Sequence, residues 1–281
     1  MPGTLFVVAT PIGNLEDITL RALRVLREAD VIAAEDTRRT AKLLAHYAIT
    51  TSTLSFHEHN TRTRVPQLLA RLNRGEAVAL VSDAGTPGIS DPGIELIQAC
   101  WDARISIDPI PGASAPLAAA MASGFPLEPL TIFGFAPARA EARKKWLERL
   151  RAVQETLTFF ETPHRIGKTL SEAPQYFGGR PIFVAREVTK RHQEFLRLSD
   201  AAFIGQTPGA KGEFTVVVGP VPQPKSGPVD ASDAVIYEEF CRMTSVVRVG
   251  RRAPLTAVAR KYGRTAKQVY AIVERLKKSD S

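Results

Sequence analysis

Cysteine is scarce in this sequence: 281 residues contain two, Cys100 and Cys241. Two thiols cannot make a disulfide framework, and both fall in helix-like segments rather than at the spacing of a thiolate metal site. Long apolar runs are missing as well, since none approaches the ~20 residues that a membrane span needs. The opening Met-Pro-Gly-Thr-Leu-Phe-Val-Val has neither the basic flank nor the long apolar core of a secretory leader. These absences point to a cytoplasmic protein with no membrane partner. No Gly-x-Gly-x-x-Gly turn and no Walker phosphate loop is present, which argues against NAD enzymes and P-loop NTPases. There is no internal repeat of fixed period.

What is present is an ordinary globular composition, 44% hydrophobic and 23% charged, with an uneven distribution of charge. Between Arg242 and Lys278 stand eleven Lys/Arg and one acid, Glu274. The other 26 basic and 28 acidic residues leave the body at −2. A nearly neutral body with a basic tail suggests a separate handle for a polyanion.

Apolar strands alternate with amphipathic stretches along the body, the pattern of an α/β fold whose mainly parallel sheet is covered on both faces. Leu5–Ala9, Val31–Ala34, Thr53–Phe56, Ala77–Leu80 and Ile105–Ile107 form a first series of strands. After a pause near Ser123-Gly124-Phe125-Pro126, Thr131–Phe135, Thr156–Phe160, Ile182–Ala185 and Phe214–Val218 form a second. The expected organisation is an α/β domain over 1–120, a second over 121–219, a Pro-rich linker over 220–232, and a basic helical tail over 233–281. Two short apolar faces around the Tyr262-Gly263 turn make that tail resemble a helix-turn-helix.

The central stretch is Val81 to Gly93, thirteen residues with three Gly and two Pro, leaving the carboxyl end of a buried strand. Long loops in compact domains are usually functional, and ligands of open α/β sheets lie at this end of the strands. Thr10 to Asn14 and Pro111 to Ala115 leave strands of the same sheet in the same sense. The three loops should gather at one rim. They would offer backbone groups, the Asp83 carboxylate and Ser114 beside a helix N-terminus.

Thr10-Pro11-Ile12-Gly13-Asn14-Leu15, Glu35-Asp36-Thr37-Arg38, His57-Glu58-His59-Asn60, Ser82 to Gly93 and Pro111-Gly112-Ala113-Ser114-Ala115 follow one another in order. With Phe160-Glu161-Thr162-Pro163-His164-Arg165 and Lys211-Gly212-Glu213-Phe214, they resemble the ribosomal RNA small-subunit methyltransferase I family of the tetrapyrrole-methylase superfamily. The likeness runs from about Gly3 to Val218 and does not extend to the tail. It implies two α/β domains with S-adenosylmethionine in the cleft between them. It also implies a homodimer, and methylation of a cytidine ribose 2′-hydroxyl in the decoding region of small-subunit ribosomal RNA, naked or in the assembled subunit. By position it implies cofactor contacts from Pro11, from Ala84, Gly85, Thr86 and Ile89, and from Ser114 and Ala115. Phe160, Glu213, Phe214 and Thr215 would wall the adenosine. Relatives often carry Gly-Asp-Pro where this chain has Gly85-Thr86-Pro87, so the acidic role passes to Asp83.

A positioned base would help to deprotonate the 2′-hydroxyl. Candidates are His59, His57 and Glu35, with alignment of the reactants alone as the alternative. His59 is equally suited to a phosphate or a loop carbonyl, and no third ligand near the two histidines suggests a metal. Arg38, Arg62, Arg165, Arg186 and Lys190 follow loops and are the expected RNA contacts, though any one of them could be a salt-bridge partner instead. Two rival readings remain: a methyltransferase for a small molecule such as a tetrapyrrole, and an RNA-binding protein without catalysis.

Overall fold

The computed structural model describes residues 2–89, 91–198, 212–222, 231–246 and 252–279. Ser90, Lys211, most of the expected linker (223–230) and the basic stretch 247–251 lie outside the described residues. Residues 1–221 form one compact unit and 222–281 another.

The first unit contains two five-stranded sheets. In the first, β1 (Thr4–Val8), β2 (Val31–Ala34), β3 (Thr53–Ser55), β4 (Val78–Val81) and β5 (Ser106–Ile110) run parallel in the order β3-β2-β4-β1-β5. Central strands β2 and β4 are continuous apolar runs, Val-Ile-Ala-Ala and Val-Ala-Leu-Val, buried along their whole length. That is what a parallel strand with helices on both faces requires. Pro109 sits in β5, an edge strand, where its missing N–H breaks no ladder. The two faces are covered by separate clusters, one with Leu26 of α1 (Leu20–Glu28), the other with Leu68 of α3 (Thr61–Asn73) and Leu96 of α4 (Ile94–Asp102).

One helix begins earlier than the periodicity suggests. α2 spans Thr37–His46 because Asp36 caps it, its carboxylate accepting the Arg38 N–H at 2.9 Å. Arg38 and Arg39 therefore stand on the first turn of a helix rather than on a loop. α3 starts at Thr61, with Pro66 inside the helix.

The second sheet is mixed, with order β6-β7-β10-β8-β9. β6 (Leu130–Phe135) and β7 (Thr156–Glu161) are parallel, while β10 (Phe214–Val218) runs antiparallel to both β7 and β8 (Ile182–Arg186). β9 (Glu194–Leu198), absent from the sequence reading, adds an antiparallel edge to β8. α6 (Ala140–Arg151) and α7 (Ile166–Phe177) cover one face. The other face is covered by α5 (Ala115–Ser123), which follows the first sheet in the chain but packs its buried Ala119 against Phe183, Ala185 and Val217 of the second.

The second unit holds α8 (Asp233–Val246), α9 (Arg252–Lys261) and α10 (Ala266–Ser279) around its own core of Ile236, Phe240, Val258, Tyr262, Val269 and Val273. Among the described residues no helix is long and apolar enough to cross a membrane.

Candidate active site

The three loops at the carboxyl rim of the first sheet are laced by their backbones. Thr10 N–H donates to the Gly85 carbonyl at 2.8 Å, Gly85 N–H returns to Thr10 at 3.0 Å, and the Thr86 hydroxyl donates to the Ala113 carbonyl at 3.2 Å. Gly85 adopts φ +81°, a left-handed conformation that a side chain would strain. The first loop also touches the second lobe. A Cβ on Gly13 would fall 2.4 Å from Lys190 Cγ, so only glycine permits this approach, and Asn14 N–H donates to the Thr189 hydroxyl at 3.1 Å. Glu187 and Thr189 hold positive φ on either side of Val188, backbone strain of the kind that accumulates at functional sites.

A cleft of about 250 Å³ opens between this rim and the second sheet. Ile12, Glu35, Asp83, Ala84, Ile89, Asp91 and Ala115 line it from the first lobe, with Arg39 from α2. Phe135, Phe160, Glu161, Val188, Glu213, Phe214 and Thr215 line it from the second. Phe160 and Thr215 are register partners across the β7–β10 ladder, so their side chains share one face of the sheet. The rings of Phe135 and Phe160 lie 5.1 Å apart, tilted by 37°.

The floor is acidic. The Asp83 carboxylate accepts the Asp36 N–H at 2.9 Å and pairs with Arg39 at 3.2 Å. Glu35 in turn accepts the Asp83 N–H at 3.2 Å. Burial raises the Glu35 carboxyl above its ordinary value, opposed by that N–H and reinforced by the charge of Asp83. Asp91 is pushed up to about 6 by burial first, then by the Glu35 and Asp83 charges, against a hydrogen bond with Ser82. Three carboxylates against one arginine make a cleft that favours a cation. Glu161 is different: its side chain, with no exposed surface, is satisfied by Arg165 at 2.9 Å, the Thr169 hydroxyl at 2.6 Å and the Thr162 N–H at 2.8 Å. A buried charge persists only when fully partnered in this way. It fixes the turn from β7 into α7.

Of the expected cofactor contacts, Asp83, Ala84, Ile89, Ala115, Phe160, Glu213, Phe214 and Thr215 line the cleft. Gly85 and Thr86 stand behind the wall, in the lacing between loops. Ser114 precedes Ala115 at the cap of α5, its buried hydroxyl without a hydrogen-bond partner among the described residues. Pro11 borders a neighbouring hollow of about 160 Å³, together with Thr10, Thr40, Lys42 and Ser82. Arg39 and Asp83 border both spaces.

Glu35 lines the cleft, whereas His57 and His59 do not. The histidines occupy a short turn held by Asn60, which accepts the His57 N–H at 2.9 Å and donates to the Ser55 carbonyl at 3.2 Å. Of the expected RNA contacts, Arg62 is exposed on α3 and Arg38, also exposed, pairs with its own cap Asp36. Arg165 pairs with Glu161, Arg186 with Glu194 at 3.2 Å, and Lys190 with Glu187 at 2.9 Å and Glu213 at 3.1 Å. Lys190 thereby braces a wall of the cleft. Ile12, Phe135, Glu161 and Val188 were not anticipated as lining residues. Phe135, an aromatic closing a strand, gave the only local hint. Among the described residues no group of three metal-ligating side chains occurs.

The sequence profile of the tetrapyrrole (corrin/porphyrin) methylases matches residues 4–202. The ribosomal RNA small subunit methyltransferase I of Halalkalibacterium halodurans is 48% identical over 218 residues, 77% of this chain and 75% of that protein. The protein of the same name from Thermotoga maritima is 47% identical over 218 residues, again 77% of this chain but 98% of its own length. A uroporphyrin-III C-methyltransferase from Thermus thermophilus, crystallised with S-adenosyl homocysteine, shares the fold at a TM-score of 0.54. It is 18% identical, over 78% of this chain and 98% of that one. With the laced loops, the cleft and these relatives in agreement, the chain belongs to the ribosomal RNA small subunit methyltransferase I family of tetrapyrrole-type methylases.

Proposed function

We propose that the cleft binds S-adenosylmethionine and that the enzyme methylates the ribose 2′-hydroxyl of a cytidine in the decoding region of small-subunit ribosomal RNA. The observation that carries this reading is the acidic floor of Glu35, Asp83 and Asp91 facing the aromatic wall of Phe135 and Phe160. That combination suits a cation joined to a flat heterocycle. When bound, the cofactor supplies a methyl group already activated by its sulfonium charge.

The residues around it have three tasks. Phe160 and Phe135 take the heterocycle, with Ile12 and Val188 adding apolar surface. Asp83, held by Arg39 and the Asp36 N–H, and Asp91 stabilise positive charge. With no sulfonium charge left to stabilise after transfer, these carboxylates would hold the product less firmly. Glu35 is the base: its raised pKa makes it a stronger proton acceptor than an ordinary carboxylate, and it is the one base candidate that lines the cleft. The adjoining hollow suits the acceptor nucleotide. It has hydroxyl-bearing walls, Lys42 at its side, and two residues in common with the cleft. Holding donor and acceptor in line supplies several kcal/mol of the barrier reduction.

Exposed Leu117 and Met121, one turn apart on α5, are apolar surface that a second copy would cover in a homodimer. A ribosomal RNA substrate places the enzyme in the cytoplasm. Ribose-methylation mapping of ribosomal RNA from a strain lacking the gene tests the function. We expect one cytidine of the small subunit to lose its mark and to regain it with the intact gene. An unchanged map defeats the reading.

A further inference from the structure

The second unit carries charge that the cleft does not use. One side of α10 is buried through Val269, Ile272 and Val273. On its opposite side Lys267, Gln268, Ala271 and Arg275 follow at the i, i+1, i+4, i+8 spacing of a single helical stripe, and Arg264 stands just ahead of the helix, all of them exposed. Of the acids of α8, Asp233 pairs with Arg275 of that stripe, and Glu239 is held by Arg242 at 2.9 Å and Lys261 at 2.7 Å. Arg264 and Lys267 have no side-chain partner among the described residues. The start of the helix is fixed by a reciprocal cap, Thr265 N–H to Gln268 Oε1 at 2.8 Å and Gln268 N–H to Thr265 Oγ1 at 3.2 Å. The two cations therefore project from an ordered turn, with small Ala271 one turn further on to let a partner come close.

We infer that this unit is an RNA-docking module in which Arg264 and Lys267 hold phosphates of helical RNA. The inference rests on the reading that the substrate is ribosomal RNA. A-form RNA has a major groove too deep and narrow for side chains to read, so a helix face meets the backbone and gains affinity without sequence preference. Choice of nucleotide is left to the cleft. The Thermotoga maritima relative supports this division of labour. The matched 218 residues are 98% of its length, so it has no room for a counterpart of this unit. The module adds attachment, and as part of the same chain it raises the local concentration of substrate at the cleft.

The test uses the full chain with the double substitution Arg264→Ala/Lys267→Ala. Its control is Lys144→Ala/Lys145→Ala on exposed positions of α6, which removes the same charge. Filter binding of a small-subunit RNA fragment across a salt series should show the log–log salt slope reduced by about two, one for each phosphate that is no longer neutralised. With assembled subunits KM should rise about tenfold, while kcat and cofactor affinity stay at the unsubstituted values and the control behaves as the parent. A parental slope in the double variant overturns the inference. So does an equal loss in the control, or a loss confined to a DNA duplex of the same length. If the parent binds RNA with the predicted slope but methylates no subunit, the catalytic reading fails while the docking result stands.

Discussion

The Asp91 carboxyl, held up to about 6 by burial and by the charges of Glu35 and Asp83, makes cofactor affinity depend on pH in a defined window. The cationic donor favours ionised Asp91. The ionised fraction is about a tenth at pH 5 and about nine tenths at pH 7. Apparent affinity scales with the fraction in the competent state. The dissociation constant for S-adenosylmethionine should therefore fall about tenfold from pH 5 to pH 7, or about 1.4 kcal/mol. Asp91→Asn should remove the slope and leave affinity near the pH 5 value throughout. Isothermal titration calorimetry at several pH values gives the affinity, and buffers of different ionisation enthalpy count the proton released. For the apo protein the sign is opposite. A carboxyl whose pKa is higher folded than unfolded gives stability at low pH that is lost as pH rises through about 6. Asp91→Asn should thus raise the melting temperature of the free protein at pH 7, by a free energy on the order of 1 kcal/mol after allowance for solvent screening. A flat affinity profile in the unsubstituted enzyme, or a slope that survives Asp91→Asn and vanishes with Glu35→Gln, refutes the assignment.

Two further substitutions probe the same floor. Asp83→Ala removes the acceptor of the Asp36 N–H and the partner of Arg39. Calorimetry should detect no cofactor binding, and unaltered affinity would contradict the role given to Asp83. Glu35→Gln keeps the acceptor for the Asp83 N–H but loses the base. Single-turnover methylation should slow by about 10²–10⁴ with cofactor affinity within a few-fold of the parent. A rate within twofold would leave alignment as the whole of catalysis.

The sequence was most informative where chemistry is local. Buried runs such as Ala77–Leu80 and the Pro/Gly loops after Leu5–Ala9 and Ala77–Leu80 marked the sheet and its functional rim, because strand, turn and ligand approach all depend on neighbouring residues. It was least informative where one group depends on another far along the chain. Lys190, read as an RNA contact or a salt-bridge partner, pairs with Glu187 and also with Glu213, 23 residues away on the wall of the cleft. Arg38 reads as following a loop, whereas the Asp36 cap places it, together with Arg39, on the first turn of α2. That cap turns Arg39 into a wall of the cleft. β9 was missed because an edge strand with one partner carries a weak alternation, here Glu-Phe-Leu-Arg-Leu. The histidine turn attracted attention for its residue types, but its hydrogen bonds hold its own backbone.

α5 has the most to say about how the enzyme opens. By chain order it closes the first lobe, yet it lies against the second sheet, with Ala119 and Ala120 wholly enclosed. Methyl groups there let the helix lie close against that sheet, so by packing α5 belongs to the second lobe. A swivel between the lobes would carry the helix along with the second sheet, and the short connection between Ile110 and Ala115 would take up the motion.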